Sequence, residues 1–406
     1  MGRRGLLVGL FLVTALAAVA CQPVKKAPPA PQWIENPPGL PPAIVDGPLP
    51  AGSPMLTKAD VVTGLSFPWD IAFLPTGEMF FDERASGTVK VRHLDETIEP
   101  IIGPHAPLAN IPDLLVANEF FGVLGLAVDP DFASNPFIYV CYTADSPEND
   151  IRVVRWTLDT EFHASNPTPI VTGIPLALAP NLGCRVRFGP DEALWITTGD
   201  VHDGNVPQDL SRLGGKILRV DRNGNPYAGN PFGNEVYTYG HRNPQGIAFH
   251  PISGQPYSIE HGTNRDDEVN KLEAGRNGGW DPKPGYNELV PMTDLVKFPN
   301  AMLPAWRSGD AGPPPNSGTI APSGATFLSG AQWKSWDGAL AVATLKGRHL
   351  RVMFLDGTGT VAATTSVLGN FGTRLRVPVQ NPVDGDLYIA TDAGGGNGAI
   401  WKITPT

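Results

Sequence analysis

The sequence is poor in charged residues and lacks the patterns of a helical protein. Charged residues make up 17% of the 406 positions, below the roughly 25% of an average globular domain. The formal net charge is -10, which argues against binding of a phosphate backbone, since that needs clustered lysine and arginine. No long stretch shows the 3.6-residue periodicity and the capping residues of amphipathic helices. A predominantly helical fold is therefore disfavoured.

Glycine and proline are abundant instead, with 46 and 43 residues. This composition favours many short strands joined by tight turns. The length would allow two or three domains. A closed repeat fold, however, can use a chain of this length as one domain.

The first twenty residues have the features of an export signal. Arg3 and Arg4 precede an apolar run over 6–20 that is short for a membrane span. The run ends in Ala-Val-Ala before Cys21, which resembles a bacterial lipobox. That resemblance implies a lipidated Cys21 and a lipoprotein on the outer face of the cell membrane or in the periplasm. Ordinary secretion, with cleavage near Cys21, is the alternative.

The segment that follows is rich in proline. Residues 22–54 contain Pro-Pro and Gly-Pro steps and little apolar periodicity. Such a segment is typical of a semi-extended spacer. The pattern thus predicts a linker between the anchor and a folded domain over 55–406.

Cysteine is scarce, with three residues in the chain. If Cys21 is lipidated, Cys141 and Cys184 remain. In an oxidising compartment an even pair can form a disulfide. Two buried free thiols are the alternative, because sequence does not show the distance between them.

One phrase recurs six times after residue 66: an apolar strand, a turn of Pro, Asp or Gly, and a second apolar strand. The copies cover residues 71–81, 126–140, 186–196, 247–257, 326–342 and 377–389. Each is predicted to be a hairpin. A hairpin cannot bury its apolar face alone, whereas six related sheets around an axis can. The prediction is an all-β, six-bladed propeller with four-stranded antiparallel blades; a pair of β-sandwiches is the alternative.

The most polar segments are Gly-His-Arg-Asn-Pro-Gln-Gly over 240–246, and the stretches 260–270 and 277–280. A loop of the first kind can direct a cation and two amides into one pocket. Together with Phe-Pro-Trp-Asp-Ile-Ala-Phe-Leu-Pro over 67–75 and Thr-Gly-Asp over 198–200, these motifs resemble the soluble quinoprotein glucose, aldose sugar and sorbosone dehydrogenases. The resemblance covers most of the chain after residue 60 and implies a propeller that uses pyrroloquinoline quinone and calcium.

The resemblance also implies a set of quinone-binding residues. They are Arg242, Asn243, Gln245, Lys346, Arg374 and Arg376. The quinone carries three carboxylates, which such cations can bind through charge-assisted hydrogen bonds. Strand alternation places the guanidinium groups of Arg374 and Arg376 on one face. A solvated edge strand is the alternative for that pair.

The calcium sites are less well matched. The resemblance implies that backbone carbonyls of Gly262 and Thr263 hold the quinone-bound calcium, although the family has Pro at the second position. A calcium ion needs about six to eight oxygens, so the quinone and water would complete the site. Glu268 matches an acidic ligand of a second calcium, whose usual aromatic partner position is Gly278 here. The acidic run over 266–268 can equally be a solvated turn.

The catalytic position departs from the family. A His acts there as general base on the sugar hydroxyl, and this chain has Asn181, nineteen residues before Asp200. An amide has no usable pKa and cannot accept the proton. Asp200 and His202 are the nearest other candidates for the base. Phe120 stands where a polar residue near the substrate is usual.

Three functions remain open from the sequence. The first is a quinone-dependent enzyme that oxidises the C1 hydroxyl of an aldose to a lactone and passes electrons to an external acceptor, with activity impaired at Asn181. The second is a lipid-anchored propeller that binds a quinone or a carbohydrate without turnover. The third is a scaffold without a ligand.

Overall fold

The computed structural model describes residues 31–103, 105–106, 109–312 and 318–406. The export signal over 1–20 and Cys21 lie outside the described residues. Within these ranges the chain forms 24 β-strands and two short 3-10 helices, Ala331–Trp336 and Gly369–Phe371. None of the helices in the described part is long and apolar enough to cross a membrane.

The strands form six antiparallel sheets of four strands each. The first sheet contains β2 (Ile71–Phe73), β3 (Met79–Glu83), β4 (Thr88–Arg92) and β5 (Ile98–Ile102), and the second contains β6 (Val123–Val128), β7 (Phe137–Ala144), β8 (Asp150–Leu158) and β9 (Ala164–Pro175). The third contains β10 (Gly183–Phe188), β11 (Leu194–Thr198), β12 (Lys216–Val220) and β13 (Val236–Tyr239), and the fourth contains β14 (Pro244–Phe249), β15 (Pro256–Glu260), β16 (Glu268–Lys271) and β17 (Trp306–Arg307). The fifth contains β18 (Pro322–Phe327), β19 (Leu340–Thr344), β20 (Leu350–Leu355) and β21 (Val361–Val367), and the sixth contains β22 (Leu375–Gln380), β23 (Leu387–Thr391), β24 (Gly398–Pro405) and β1 (Leu56–Leu65).

The sheets are the blades of a closed ring. The first strands of neighbouring blades contact each other in the order β2, β6, β10, β14, β18 and β22, and β22 contacts β2 again. The six recurring phrases of the sequence are the first two strands of each blade. The predicted six-bladed propeller is therefore confirmed, and the pair of sandwiches is excluded.

Closure of the ring depends on a strand that lies outside the six repeated hairpins of the sequence. The strand β1 comes first in the chain, yet it pairs antiparallel with β24 and completes the sixth blade. Its register runs from Leu56 opposite Pro405 to Leu65 opposite Gly398. This pairing joins the two ends of the domain and covers a strand edge that would otherwise be exposed.

The segment before β1 lies along the propeller. The indole of Trp306 donates to the carbonyl of Ile44 at 2.9 Å, and the indole of Trp336 donates to the hydroxyl of Ser53 at 2.9 Å. A proline-rich segment keeps all its carbonyl acceptors, and donors on the blades use them. The sequence pattern predicted a spacer over 22–54; its second half is extended along the domain.

The second and third blades are joined covalently. Cys141 on β7 and Cys184 on β10 form a disulfide, with their Cα atoms 6.0 Å apart. Both residues are buried in an apolar cluster that the two blades share. The disulfide alternative for this pair, rather than the free thiols, is the one present in the structure.

Removing this disulfide is expected to lower the stability of the propeller. The bond closes a loop with a sequence separation of 43 residues, and cross-links of this size typically contribute about 2–4 kcal/mol. We expect the Cys141→Ser, Cys184→Ser variant to unfold at a clearly lower denaturant concentration than the wild type. Adding a reductant should lower the wild-type midpoint and leave that of the variant unchanged. Equal midpoints under oxidising conditions would contradict this prediction.

Five of the six first strands share a local irregularity near the site. A register shift interrupts the pairing at the start of β6, β10, β14, β18 and β22. Bulges bend a strand and redirect its side chains. Leu124, Gly183, Gln245 and Arg376 lie at four of these shifts and line a common cavity, at the edge where the first strand of each blade begins and the second ends.

Candidate active site

The largest group of sequence-predicted site residues surrounds one cavity of about 560 Å³ at this edge of the ring. All six blades contribute to it. Its lining residues are Phe67, Trp69, Arg84, Glu119, Phe120, Leu124, Pro180, Asn181, Leu182, Gly183, Asn243, Gln245, His261, Leu345, Arg374, Arg376, Asp392, Ala393 and Gly394. The structure thus brings together residues that lie more than 300 positions apart.

Two arginines and one carboxylate form one wall. Asp392, at the end of β23, accepts from Arg374 Nε at 2.8 Å and from Arg376 Nη2 at 2.6 Å. Burial alone would raise the pKa of Asp392, but the two guanidinium groups outweigh this effect and hold the pKa well below its usual range. The pair therefore shares one negative charge, as expected for side chains on one face.

A third guanidinium group, which the sequence motifs did not indicate, lies in the same cavity. Arg84 follows β3 and is 7% exposed, and its Nε has no hydrogen-bond partner among the described residues. Burial, together with the positive charge of Arg376, lowers the pKa of Arg84 to about 10. Its guanidinium lies 4.8 Å from the centre of the Phe67 ring. Carboxylates are fewer here: Glu119, exposed at the rim, is the other one among the lining residues.

A buried carboxylate binds the backbone of the predicted loop over 242–245. Glu260, at the end of β15, accepts from the backbone N–H of Arg242 and, at 3.3 Å, from that of Asn243. The amide of Gln245 donates to Asn243 Oδ1 at 2.9 Å and accepts from Arg376 Nη1 at 3.2 Å. Asn243 and Gln245 therefore face the cavity together with the arginine wall.

Two predicted cations do not line this cavity. Arg242 turns away, and its guanidinium donates to Glu288 Oε1 at 2.6 Å and to the carbonyl of Gly262 at 2.8 Å. Lys346 is exposed, and its ammonium donates to the hydroxyl of Thr319 at 3.0 Å. The positive charge on the cavity wall comes instead from Arg84, Arg374 and Arg376.

His261 is a further lining residue that the motifs did not single out. Burial and the charges of Arg242 and Arg376 lower its pKa to about 3. The imidazole is therefore neutral at physiological pH. It borders the cavity as a polar, uncharged group.

Asn181, which the sequence resemblance matched to the position of a general base, lies on the cavity wall and is held by a polar network. The amide of Asn181 donates to Asp200 Oδ1 at 3.0 Å and to the hydroxyl of Tyr286 at 3.2 Å. Asn181 has a positive φ of 71°, a conformation in which Asn, Asp and His are enriched. Both groups that could orient a base at this position are present, although the base is not.

Asp200 is fully buried behind Asn181. Its second oxygen accepts from the indole of Trp280 at 2.7 Å and from the hydroxyl of Tyr286 at 2.8 Å. Burial raises the pKa of Asp200 above its ordinary value, against the opposing charge of Arg242. Its oxygens are occupied by donors, so its geometry suits orienting a neighbour better than reaching a substrate.

His202 lies on the other side of the same network. Its ring stacks on Tyr286 with 4.7 Å between ring centres, and Nε2 is 4.0 Å from Glu288. Burial lowers the pKa of His202, so a neutral imidazole is present at pH 7. Neither His202 nor Asp200 is among the residues that line the cavity, whereas Asn181 is.

One of the two backbone carbonyls predicted for the quinone-bound calcium, that of Gly262, already accepts a hydrogen bond. The Gly262 carbonyl accepts from the guanidinium of Arg242 at 2.8 Å, and the positive charge of that guanidinium would repel a calcium ion at the same oxygen. A calcium ion at this place therefore does not fit the arrangement of Arg242 in this structure.

The second predicted calcium site is also incomplete. Glu268 is buried and accepts from the hydroxyl of Thr293 at 2.8 Å. Burial, together with Glu260 and Asp266, raises the pKa of Glu268 well above its usual range. A Cβ at Gly278 would lie 2.7 Å from the carbonyl of Gly240, so an aromatic ligand has no room there. Over the described residues, no group of three or more His, Cys, Asp or Glu side chains is arranged to hold a metal ion.

The propeller with an arginine-lined cavity at one end of its ring matches one known family. Residues 65–402 match the family described as glucose/sorbosone dehydrogenase. This match covers most of the chain, and the protein belongs to that family. The resemblance drawn from the sequence motifs is thereby confirmed.

Relatives extend over nearly the whole length of the chain. A Synechocystis protein described as uncharacterised is 31% identical over 370 residues, which cover 85% of this chain and 86% of that protein. An aldose sugar dehydrogenase of Escherichia coli is 27% identical over 357 residues, or 84% and 91% of the two chains. The structure of the PQQ-bound form of aldose sugar dehydrogenase from Streptomyces coelicolor has a TM-score of 0.71 and 28% identity, with 88% of this chain and all of that chain covered.

Proposed function

We propose that this protein is a sugar dehydrogenase that binds pyrroloquinoline quinone in the arginine-lined cavity and oxidises the C1 hydroxyl of an aldose to a lactone. The observation that carries the proposal is the excess of guanidinium groups over carboxylates on a cavity wall. The buried Nε of Arg84 has no hydrogen-bond partner in the described part of the chain, and Arg374 and Arg376 share Asp392. A planar anion with several carboxylates would supply the missing negative charge.

The chain's own groups would have distinct tasks. Arg84, Arg374 and Arg376 would hold the carboxylates of the quinone, and Asn243 and Gln245 would offer amides to its polar edge. When bound, the quinone would supply the acceptor for hydride, and an external acceptor would then take up the electrons. Removal of the hydroxyl proton would remain the task of the chain or of solvent.

Removal of the hydroxyl proton is the step at which this chain departs from the family pattern. Asn181 reaches the cavity but cannot accept a proton, while Asp200 and His202, which could, do not line it. Loss of a general base typically reduces a rate by about 10² to 10⁴ without abolishing it. We therefore propose slow turnover.

A second function is favoured by the same residue. The amide nitrogen of Asn181 donates to both Asp200 and Tyr286, an arrangement suited to a stable binding pocket. In this alternative the propeller binds quinone or carbohydrate and catalyses no oxidation.

Titration of residues 22–406 with pyrroloquinoline quinone, with and without Ca²⁺, followed by dye reduction over a panel of aldoses, separates these functions. We expect a spectral change on binding and slow dye reduction. Binding without dye reduction would support the alternative. No binding under either condition would overturn both functions and leave a propeller scaffold.

The location of the protein is part of the proposal. We propose that it is exported and held by lipid on Cys21, because the preceding Ala-Val-Ala resembles a lipobox. One acyl chain alone would bind a membrane only weakly, so the anchor would need the several chains of a lipoprotein. Labelling of cells with a fatty-acid analogue is expected to mark the wild type and not Cys21→Ala. Equal labelling of the two proteins would mean that Cys21 is not the lipidated residue and that the signal was misread.

A further inference from the structure

A short segment before the first propeller strand contacts a loop of the site. We call residues 33–36 the strap and residues 282–289 the Tyr286 loop. The backbone N–H of Ile34 in the strap donates to the carbonyl of Leu289 at 3.1 Å. The Tyr286 loop contains no β-strand, so its position depends on contacts of this kind.

Arg265 joins the strap and the loop. Its guanidinium donates to the carbonyl of Ile34 at 2.6 Å and to that of Leu289 at 3.4 Å. It also donates to Oδ1 of Asn36, and the ring of Trp33 lies 4.1 Å from it. Arg265 is fully buried, which makes these contacts an internal junction rather than a surface ion pair.

The other side of the Tyr286 loop faces the site. The hydroxyl of Tyr286 donates to Asp200 and accepts from Asn181, at 2.8 and 3.2 Å. Glu288 accepts from Arg242 at 2.6 Å, and Leu289 follows it directly in the chain. The carbonyl that the strap binds is thus one residue from the carboxylate that orients Arg242.

We propose that the strap is a positioning element of the site: through Arg265 and Leu289 it holds Tyr286 and Glu288 against Asn181, Asp200 and Arg242. The segment between the candidate lipid anchor and the propeller would then do more than span a distance. Only the consequence for quinone binding rests on the proposed function. The effect of the strap on the loop is a property of the chain alone.

Hydrogen–deuterium exchange tests the proposal in the full chain. The informative amides are those of Asn287 and Leu289, which donate within the loop to Pro282 O at 2.8 Å and to Asn287 Oδ1 at 3.0 Å. In the Trp33→Ala, Asn36→Ala variant we expect the peptide covering 282–289 to exchange at least about tenfold faster than in the wild type. Quinone titration of the same variant should show weaker binding.

Two controls make the result specific. Trp33→Phe keeps an aromatic ring over Arg265 and should retain most of the protection. Asp46→Asn weakens contacts of the same N-terminal segment with Arg351, Thr364 and Ser366 in the fifth blade, and should leave exchange in the Tyr286 loop unchanged.

Unchanged exchange in the loop of Trp33→Ala, Asn36→Ala would overturn the proposal. Faster exchange spread evenly over the blades would also contradict it, because that would indicate general destabilisation. If the wild type binds no quinone, the proposed function fails while the exchange experiment still decides the role of the strap.

Discussion

Asn181→His is expected to raise the rate of aldose oxidation by about tenfold or more, within the usual range for a general base. Position 181 lines the cavity, and Asp200 lies 3.0 Å from the present amide, where it can accept an N–H from an imidazole. The backbone φ of 71° is one that His tolerates better than most residues. The measurement is dye reduction by the quinone-loaded protein at saturating aldose.

The pH dependence of this variant should identify the new base. An imidazole accepts a proton only when neutral, so the added activity should appear as pH rises through about 6.5. Asn181→Gln is the matched control, because it keeps an amide and should gain nothing. Replacing Asp200 with Asn in the Asn181→His protein should remove most of the gain.

Phe120 sets a second condition on this experiment. It lines the cavity and is 39% exposed, so its ring can obstruct a sugar near position 181. Adding Phe120→Gln to Asn181→His should increase the gain further.

If the wild type is already fast and Asn181→His slows it, another residue is the native base, and Asp200→Asn and His202→Ala would identify which. Quinone binding with no oxidation by any of these variants would favour the binding function.

Arg376→Gln is expected to weaken quinone binding by about 10- to 100-fold, because a hydrogen bond to a charged group in a buried site contributes about 1.5–3 kcal/mol. The side chain of Arg376 is 6% exposed, and it contacts both Asp392 and Gln245. Its loss would leave Asp392 with Arg374 as its remaining ion-pair partner. Titration of the quinone by absorbance or protein fluorescence measures the change in Kd.

Arg374→Gln is the matched control. Its side chain is 43% exposed, and exposed ion pairs contribute only about 0.2–1 kcal/mol. We expect the Kd to rise by less than about fivefold. Equal weakening by the two substitutions would contradict the expectation that the buried Arg376 contributes more to binding than the exposed Arg374. No weakening by either would show that these two arginines do not bind the quinone.

The sequence predicted the architecture because a propeller repeats one local pattern. Each copy of the hairpin phrase carries its own turn residues, and six copies that cannot bury their faces alone point to a ring. The motif over 240–246 could be assigned for a similar reason, since its polar groups are neighbours in the chain. Asn181 was predicted to depart from the family pattern because its spacing to Asp200 matches that of the family's catalytic His, whereas an amide cannot accept a proton.

Other parts of the site could not be predicted from the sequence. Arg84 and Asp392 come from different blades, and no short motif signals that they face one cavity. Arg242 lies in the most recognisable motif, yet it turns toward Glu288 and Gly262. The direction of a long side chain depends on which acceptors the fold places near it.

The sequence by itself therefore determined the class of fold and the family, because these depend on local patterns, and it predicted from residue identity that position 181 lacks a general base. Tertiary structure alone decided that β1 closes the ring, that Arg84 joins Arg374 and Arg376, and that the strap reaches the Tyr286 loop. These contacts join residues distant in the chain, and they form only after the blades pack around a common axis and the bulges redirect their side chains.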